Sequence, residues 1–143
     1  MPEYHLFFVH FPIALYPTAL FIEALRYQFR SIPEYVSTIL VIIGAIMGIF
    51  AGLSGDFAAN IFINQTGNSE AISNHESFGN ITVWVGLLSA FVLLIMNLRK
   101  QGSIFVKWIV LFFLVILVLF TGFLGGNFIQ ENKMYVPNNI SLS

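Results

Sequence analysis

The chain has 143 residues, of which 57% are hydrophobic, 16% aromatic and only 9% charged. Soluble domains carry about 25% charged residues, so a water-soluble globule of this size could not cover its surface with the charges present. Soluble enzymes, nucleic-acid binders and disordered chains are therefore disfavoured. The net charge of −1 is too small to imply a partner through long-range attraction. The absence of cysteine excludes disulfides, thiolate metal sites, iron–sulfur clusters and covalently attached c-type haem.

Four long apolar segments fill most of the sequence, at residues 4–25, 36–62, 78–98 and 104–128. Each reaches the length of about 20 residues that a helix needs to cross a lipid bilayer. Lipid cannot satisfy the free backbone groups of an open sheet. The sequence therefore predicts an all-α, four-transmembrane-helix bundle that forms one domain over residues 1–128. A polar C-terminal tail is predicted at 129–143.

The first segment contains two histidines and does not have the pattern of a cleavable signal peptide. Glu3 stands where a basic region is expected, and Pro12 and Pro17 interrupt the apolar run. We therefore expect this helix to be retained, with His5 and His10 in it.

His10 has two interpretations. Pro12 has no N–H to donate, so it frees the carbonyl group of Phe8, which the His10 side chain can hydrogen-bond. Alternatively, His10 is a ligand or a proton carrier, because polar groups at membrane depth usually face a cavity or the bundle interior. His5 lies about 140° around the helix from His10, nearer the interface, and is expected to be a surface or supporting residue.

The second segment carries glycines at every fourth position, Gly44, Gly48 and Gly52, and then Asp56. Small residues at this spacing let another helix approach closely, and the alternative is that they make room for a flat macrocycle. Asp56 either ends the helix near the interface or hydrogen-bonds a ligand histidine and so fixes its tautomer. The polar connection at 61–77 follows, and it is predicted to be the largest loop.

Basic residues predict the orientation of the chain. Five of the six flank the first and third connections: Arg26, Arg30, Arg99, Lys100 and Lys107. The positive-inside rule assigns this side to the cytoplasm, so both termini are expected outside a bacterial inner membrane. Glu23 precedes Arg26 by three residues, and a local ion pair is expected between them.

In this orientation the three histidines and Asp56 gather at the outer side of the membrane. His10 and His75 belong to helices that run in the same direction, and they are the predicted pair of haem or metal ligands. His5, Asp56 and Glu76 are expected to support these ligands. Three glycines are expected to line the cofactor, namely Gly48, Gly52 and Gly125.

Four motifs, in this order, resemble those of a known family. They are the run from His5 to Leu15 (HLFFVHFPIAL), the glycine-rich stretch from Gly52 to Asp56, His75, and the run from Thr121 to Gly126 (TGFLGG). The family is catalogued as domain of unknown function 2231 and consists of bacterial four-helix membrane proteins. The resemblance implies an inner-membrane protein in a redox setting, because related domains are found fused or adjacent to cytochrome-like modules. In some relatives a histidine stands at the position of Phe123.

The leading functional hypothesis is a non-covalently bound haem b, ligated by His10 and His75, that transfers electrons. Bis-imidazole ligation suits this role, and a periplasmic cytochrome or a larger respiratory complex is the expected partner. Against it, the outer side offers only Lys133 to pair with haem propionates. Two alternatives stay open: a transition-metal site made by the histidines with Asp56 or Glu76, and an accessory subunit without cofactor. A homo-oligomer is compatible with each, and no nucleic-acid partner is expected.

Overall fold

The computed structural model describes residues 2–66, 70–100 and 102–133, and this part of the chain forms four α-helices and no strand. The helices are α1 (Pro2–Gln28), α2 (Tyr35–Thr66), α3 (Glu70–Arg99) and α4 (Ile104–Lys133). Each contains a stretch that is long and apolar enough to cross a membrane. The predicted all-α bundle of four membrane-spanning helices is therefore confirmed.

The helices form a closed ring in which each packs against its neighbours in sequence and α4 packs against α1. In the described residues α1 and α3, like α2 and α4, face each other across the diagonal without close backbone approach. The ends of α1 and α3 and the starts of α2 and α4 lie together at one end of the bundle with five basic residues, and we call it the basic end. The opposite end, where α1 and α3 begin with His5 and His75, is called the histidine end.

The polar connection predicted at 61–77 is mostly helical. α2 continues to Thr66 and α3 already begins at Glu70, so His75 lies within α3 rather than before it. Residues 67–69 lie outside the described part. The prediction was wrong because an apolar run shows only the part of a helix that crosses the hydrocarbon. Polar residues can continue the same helix outside the hydrocarbon.

The C-terminal tail was predicted to start at 129. α4 continues past that point to Lys133, and the rest of the tail, at 134–143, lies outside the described residues.

Tyr16 is the largest fully buried side chain of the apolar core. Its ring lies against Gly44 of α2, where an added Cβ would come within 2.5 Å of Cε1. Its hydroxyl reaches Gly86 of α3, where an added Cβ would come within 2.5 Å of Oη. Both glycines are therefore needed for Tyr16 to pass between the helices. Around it lie buried apolar side chains from all four helices: Ala19, Val41, Ala45, Ala90, Leu93, Leu111, Leu114 and Val118.

The other two glycines of the α2 stripe also face a helix. Cβ atoms added at Gly48 and Gly52 would lie 3.9 Å and 3.6 Å from Cγ2 of Val83 in α3. This is the close helix packing that the spacing of the glycines indicates. A cofactor-binding role for Gly48 and Gly52 stays a prediction.

Large apolar side chains cover the outside of the bundle. Examples on the four helices are Phe21, Phe50, Trp84 and Phe112, each about half exposed or more. Apolar patches of this extent are rare on soluble monomers. They are the expected surface of a protein that lies in a lipid bilayer, and this is a multi-pass membrane protein.

Candidate functional site

Two histidines meet inside the histidine end of the bundle. The ring centroids of His5 and His75 are 6.3 Å apart, and the ring planes are nearly perpendicular at 86°. His5 belongs to α1 and His75 to α3, the two helices on one diagonal of the ring. The two imidazoles therefore approach each other across the interior rather than along one helix surface.

His5 is held by the backbone of α2. Its Nδ1 lies 2.9 Å from the carbonyl oxygen of Ala51. A carbonyl oxygen only accepts, so Nδ1 carries the proton and donates it. In the neutral ring Nε2 then keeps its lone pair. The hydroxyl oxygen of Ser54 lies 3.4 Å from the same Nδ1. A carbonyl acceptor behind the ring is the arrangement that orients metal-ligating histidines.

His75 has a buried nitrogen that no described residue satisfies. Its Nδ1 has no hydrogen-bond partner in the described part of the chain. The ring lies on the backbone of α4, because a Cβ added at Gly125 would be 2.9 Å from Cε1. An unsatisfied buried polar atom costs about 1–3 kcal/mol, and in native proteins such an atom often marks a bound ion, a water or a catalytic role.

His10 does not join this pair. Its side chain is exposed on the outside of α1, and Nδ1 donates to the carbonyl oxygen of Leu6 one turn earlier. One of the two interpretations of His10 had it bonded to a neighbouring carbonyl freed by proline, such as that of Phe8. A straight helix cannot present both His5 and His10 to the interior, because they lie about 140° apart. The structure thus brings His5, and not His10, beside His75. A ligand role for any of the three stays a prediction.

The acidic residues predicted to support the histidines lie on the surface. Asp56 and Glu76 are both exposed, and the backbone carbonyl of Asp56 accepts a hydrogen bond of 2.9 Å from the amide of Asn60. Among the described residues neither carboxylate hydrogen-bonds a histidine. No group of three or more histidine, aspartate and glutamate side chains that could hold a metal ion occurs there either.

A pair of threonines lies further from the histidine end than the histidines do, toward the basic end. The hydroxyl oxygens of Thr82 in α3 and Thr121 in α4 are 2.7 Å apart. Each is also within hydrogen-bond distance of a carbonyl oxygen of its own helix, Phe78 at 2.7 Å and Leu117 at 2.9 Å. These contacts join α3 to α4.

A second polar cluster lies at the basic end, centred on Glu23, which is 2% exposed. The predicted ion pair between Glu23 and Arg26 is confirmed. Glu23 also accepts a 2.8 Å hydrogen bond from the hydroxyl of Ser37, and its Oε2 lies 3.3 Å from Nζ of Lys107. Lys107 donates in addition to the carbonyl oxygen of Glu34 at 3.1 Å.

The sequence interpretation missed the burial of Lys107 and used it only as a marker of topology. The available signal was its position just inside the apolar run that begins at Ile104. A charge at that place needs an opposite charge or an exit to water, and Glu23 is the acid within an apolar segment at the same end.

Comparison with known protein families gives a match. The sequence profile of the family described as "Predicted membrane protein (DUF2231)" matches residues 3–138, which include all four helices. The chain therefore belongs to this family, as its motifs indicated. No curated protein and no solved structure shows significant similarity to it.

Proposed function

We propose that this member of the DUF2231 family binds one b-type haem at the histidine end and transfers single electrons. In this proposal His5 and His75 would hold the haem iron, so His5 takes the place predicted for His10. The carrying observation is the separation of 6.3 Å between the two ring centroids. Since metal–nitrogen distances are about 2.0–2.1 Å, two imidazole rings at this separation could both bind one metal ion.

The nitrogen atoms have the chemistry that axial ligands need. The hydrogen bond from Nδ1 of His5 to the Ala51 carbonyl leaves Nε2 as the electron-pair donor and holds the ring in place. His75 has a buried Nδ1 without a partner in the described part of the chain. Haem binding would give Nδ1 of His75 a partner and would use the lone pair on Nε2 of His5.

The number of side chains favours haem over a bare metal ion. Zinc sites use three or four protein ligands, and the described residues contain no group of three or more suitable side chains. Haem iron needs only two axial ligands, because the porphyrin nitrogens supply the rest. A haem with two histidine ligands supplies one-electron chemistry whose potential depends on the ligands and on burial.

Glycines position both rings. A Cβ added at Gly55 would lie 3.0 Å from Cε1 of His5, and one added at Gly125 would lie 2.9 Å from Cε1 of His75. The backbones of α2 and α4 therefore act as flat walls for the two imidazoles. Rings held in this way keep their orientation without further side-chain contacts.

The basic residues support an outer location for this site. All five basic residues that flank the first and third connections lie at the end opposite the histidines. Under the positive-inside rule, the histidine end then faces the periplasm of a bacterial inner membrane, and both termini lie outside. The proposed partner is accordingly a periplasmic cytochrome or a larger respiratory complex.

An absorption spectrum tests the proposal. The protein is produced with ample haem supply, purified in detergent, and measured in oxidised and reduced forms. We expect a Soret band and sharp reduced α and β bands that disappear in His5→Ala and in His75→Ala, whereas His10→Ala keeps them. Iron analysis should give one iron per chain.

Two results would overturn it. A colourless protein from haem-rich cells would favour an accessory subunit without cofactor. A colourless protein that carries a stoichiometric metal would favour a metal site made by the same histidines.

A further inference from the structure

His10 places a polar imidazole on the exposed surface of α1, which is unusual for a side that faces lipid. The apolar span of α1 runs from Tyr4 to Gln28. At 1.5 Å per residue His10 lies about 9 Å along this span. Since the span exceeds the hydrocarbon thickness of about 30 Å by only a few ångström at each end, His10 lies within the hydrocarbon, near its edge.

The hydrogen bond of His10 fixes which nitrogen faces the lipid. Nδ1 donates to the carbonyl oxygen of Leu6, so the proton of the neutral ring is on Nδ1. Nε2 then carries a lone pair, and no described residue donates to it. Lipid chains offer no donor either, and a polar atom without a partner in hydrocarbon is costly. A ligand that reaches Nε2 through the bilayer and carries an O–H or N–H donor would satisfy this lone pair.

The surroundings of His10 suit a flat aromatic ring. Phe7 and Ala14 lie on the same face of α1, one turn to either side of His10, and both are exposed. Ala14 has only a methyl side chain, so little side-chain bulk stands beside the imidazole, and we call the surface formed by Phe7, His10 and Ala14 the notch. Phe7 and Phe11 stand edge to face with centroids 5.3 Å apart, and aromatic groups prefer such contacts. The hydroxyl of Thr18 is already bound to the Ala14 carbonyl at 2.7 Å and does not compete.

We infer that this notch binds a membrane quinol, whose ring hydroxyl donates to Nε2 of His10. A quinol combines the required features: an aromatic ring, O–H donors and an isoprenoid or alkyl tail that dissolves in the bilayer. The oxidised quinone has only carbonyl acceptors, which cannot hydrogen-bond a lone pair. The notch therefore selects the reduced form. The inference does not rest on the proposed haem, because Leu6 and the lipid alone determine the state of His10.

A binding measurement on protein in lipid nanodiscs tests this site. The probes are a decyl-tailed benzoquinol, kept reduced, and the matching quinone, and the readout is the ¹⁵N chemical shift of His10 Nε2 together with the dissociation constant. We expect the quinol to shift the Nε2 signal and to bind about tenfold more tightly than the quinone, the factor that one hydrogen bond contributes.

Three variants separate the site from general effects. His10→Phe keeps an aromatic ring but removes the acceptor, and it should weaken quinol binding about tenfold. Ala14→Leu fills the notch and should weaken it as well. Ala24→Leu is the matched control, because Ala24 is also exposed on α1 but lies near the basic end, and it should bind quinol as the parent protein does.

Three results would overturn the inference. Equal binding of quinol and quinone would show that the Nε2 lone pair takes no part in recognition. Unchanged quinol affinity in His10→Phe would show that the His10 side chain takes no part in binding. If His10→Phe and Ala14→Leu instead convert a dimer into a monomer in sedimentation, with no effect on quinol, the face is an interface with a second copy. Quinol binding and the haem spectrum are separate readouts. A failure of this inference would abolish the first and leave the second, and a failure of the proposed function would do the opposite.

Discussion

Lys107 of α4 and Glu23 of α1 form an ion pair inside the basic end, with 3.3 Å between Nζ and Oε2. Both side chains are almost fully buried, at 3% and 1% exposure. α1 and α4 are the first and last helices, so this pair joins the two elements that must meet to close the ring. A buried charge that loses its partner is far more costly than a missing surface pair.

Lys107→Met should destabilise the protein strongly. The substitution leaves the Glu23 carboxylate with Arg26 and Ser37 but removes one of its two cations. We expect a loss of about 3 kcal/mol in the free energy of unfolding, the lower part of the range for broken buried pairs. Thermal or denaturant unfolding in detergent, followed by circular dichroism, measures it.

The double variant Glu23→Gln/Lys107→Met should recover part of this loss, because neither charge is then left alone. Lys100→Met is the control, since Lys100 is exposed at the same end and should change stability by no more than about 0.5 kcal/mol. Equal effects of Lys107→Met and Lys100→Met would mean that the buried pair does not hold α1 against α4.

Gly86→Ala should destabilise the bundle through Tyr16. The added methyl group would meet Oη of Tyr16 at 2.5 Å, and overpacking of this kind costs about 1–3 kcal/mol. The better helix propensity of alanine, about 1 kcal/mol, offsets only part of it. Gly79→Ala, with no atom within 4 Å of the new Cβ, should leave stability unchanged or raise it.

The Tyr16 hydroxyl can be removed to check the cause. In the Tyr16→Phe background the atom nearest to the new methyl group is gone, and the next ring atom, Cζ, lies at 3.5 Å. Gly86→Ala should then cost much less than in the parent protein. The same penalty in both backgrounds would contradict the contact between Tyr16 and Gly86.

Gly125→Ala should weaken haem binding if His75 is an axial ligand. The new Cβ would lie 2.9 Å from Cε1 of His75 and would push the ring out of place. We expect the reduced α band to weaken or shift, and titration of the apoprotein with haem should show lower affinity. Gly126→Ala is the matched control, because no atom lies within 4 Å of that Cβ. Indistinguishable spectra of the two variants would argue against ligation by His75.

Thr82→Val and Thr121→Val should each lower stability slightly, and their effects should not add. Their hydroxyl oxygens are 2.7 Å apart, and hydrogen bonds between membrane helices contribute about 0.6 kcal/mol on average, at most about 1.7 kcal/mol. A double-mutant cycle of unfolding free energies gives the coupling. A coupling energy near zero would mean that each hydroxyl is satisfied by the carbonyl of its own helix alone.

The sequence predicted the four helices well because their signal, an apolar run of membrane length, is local. It also predicted the gathering of His5, His10 and His75 at one end, since helix direction alternates along the chain. It could not predict which histidine faces inward. Helix rotation is determined by packing, here by Tyr16 passing between Gly44 and Gly86, and that contact has no local pattern.

The buried position of Lys107 has the same explanation. Its partner Glu23 belongs to α1, the first helix, whereas Lys107 belongs to α4, the last. Only the return of α4 to α1 brings the two charges together. Arg26 lies one helical turn from Glu23, so that ion pair was predictable from spacing alone.

Tyr16 and the leucines around it separate the two polar ends of the protein. Tyr16 lies about 16 Å along α1 from His5 and about 10 Å from Glu23, and it is packed with fully buried apolar side chains such as Leu93 and Leu114. A haem held at the histidine end, as proposed, would take up and release its electron on one side of the bilayer. Its turnover would move no charge through the membrane electric field and should therefore be insensitive to the transmembrane voltage.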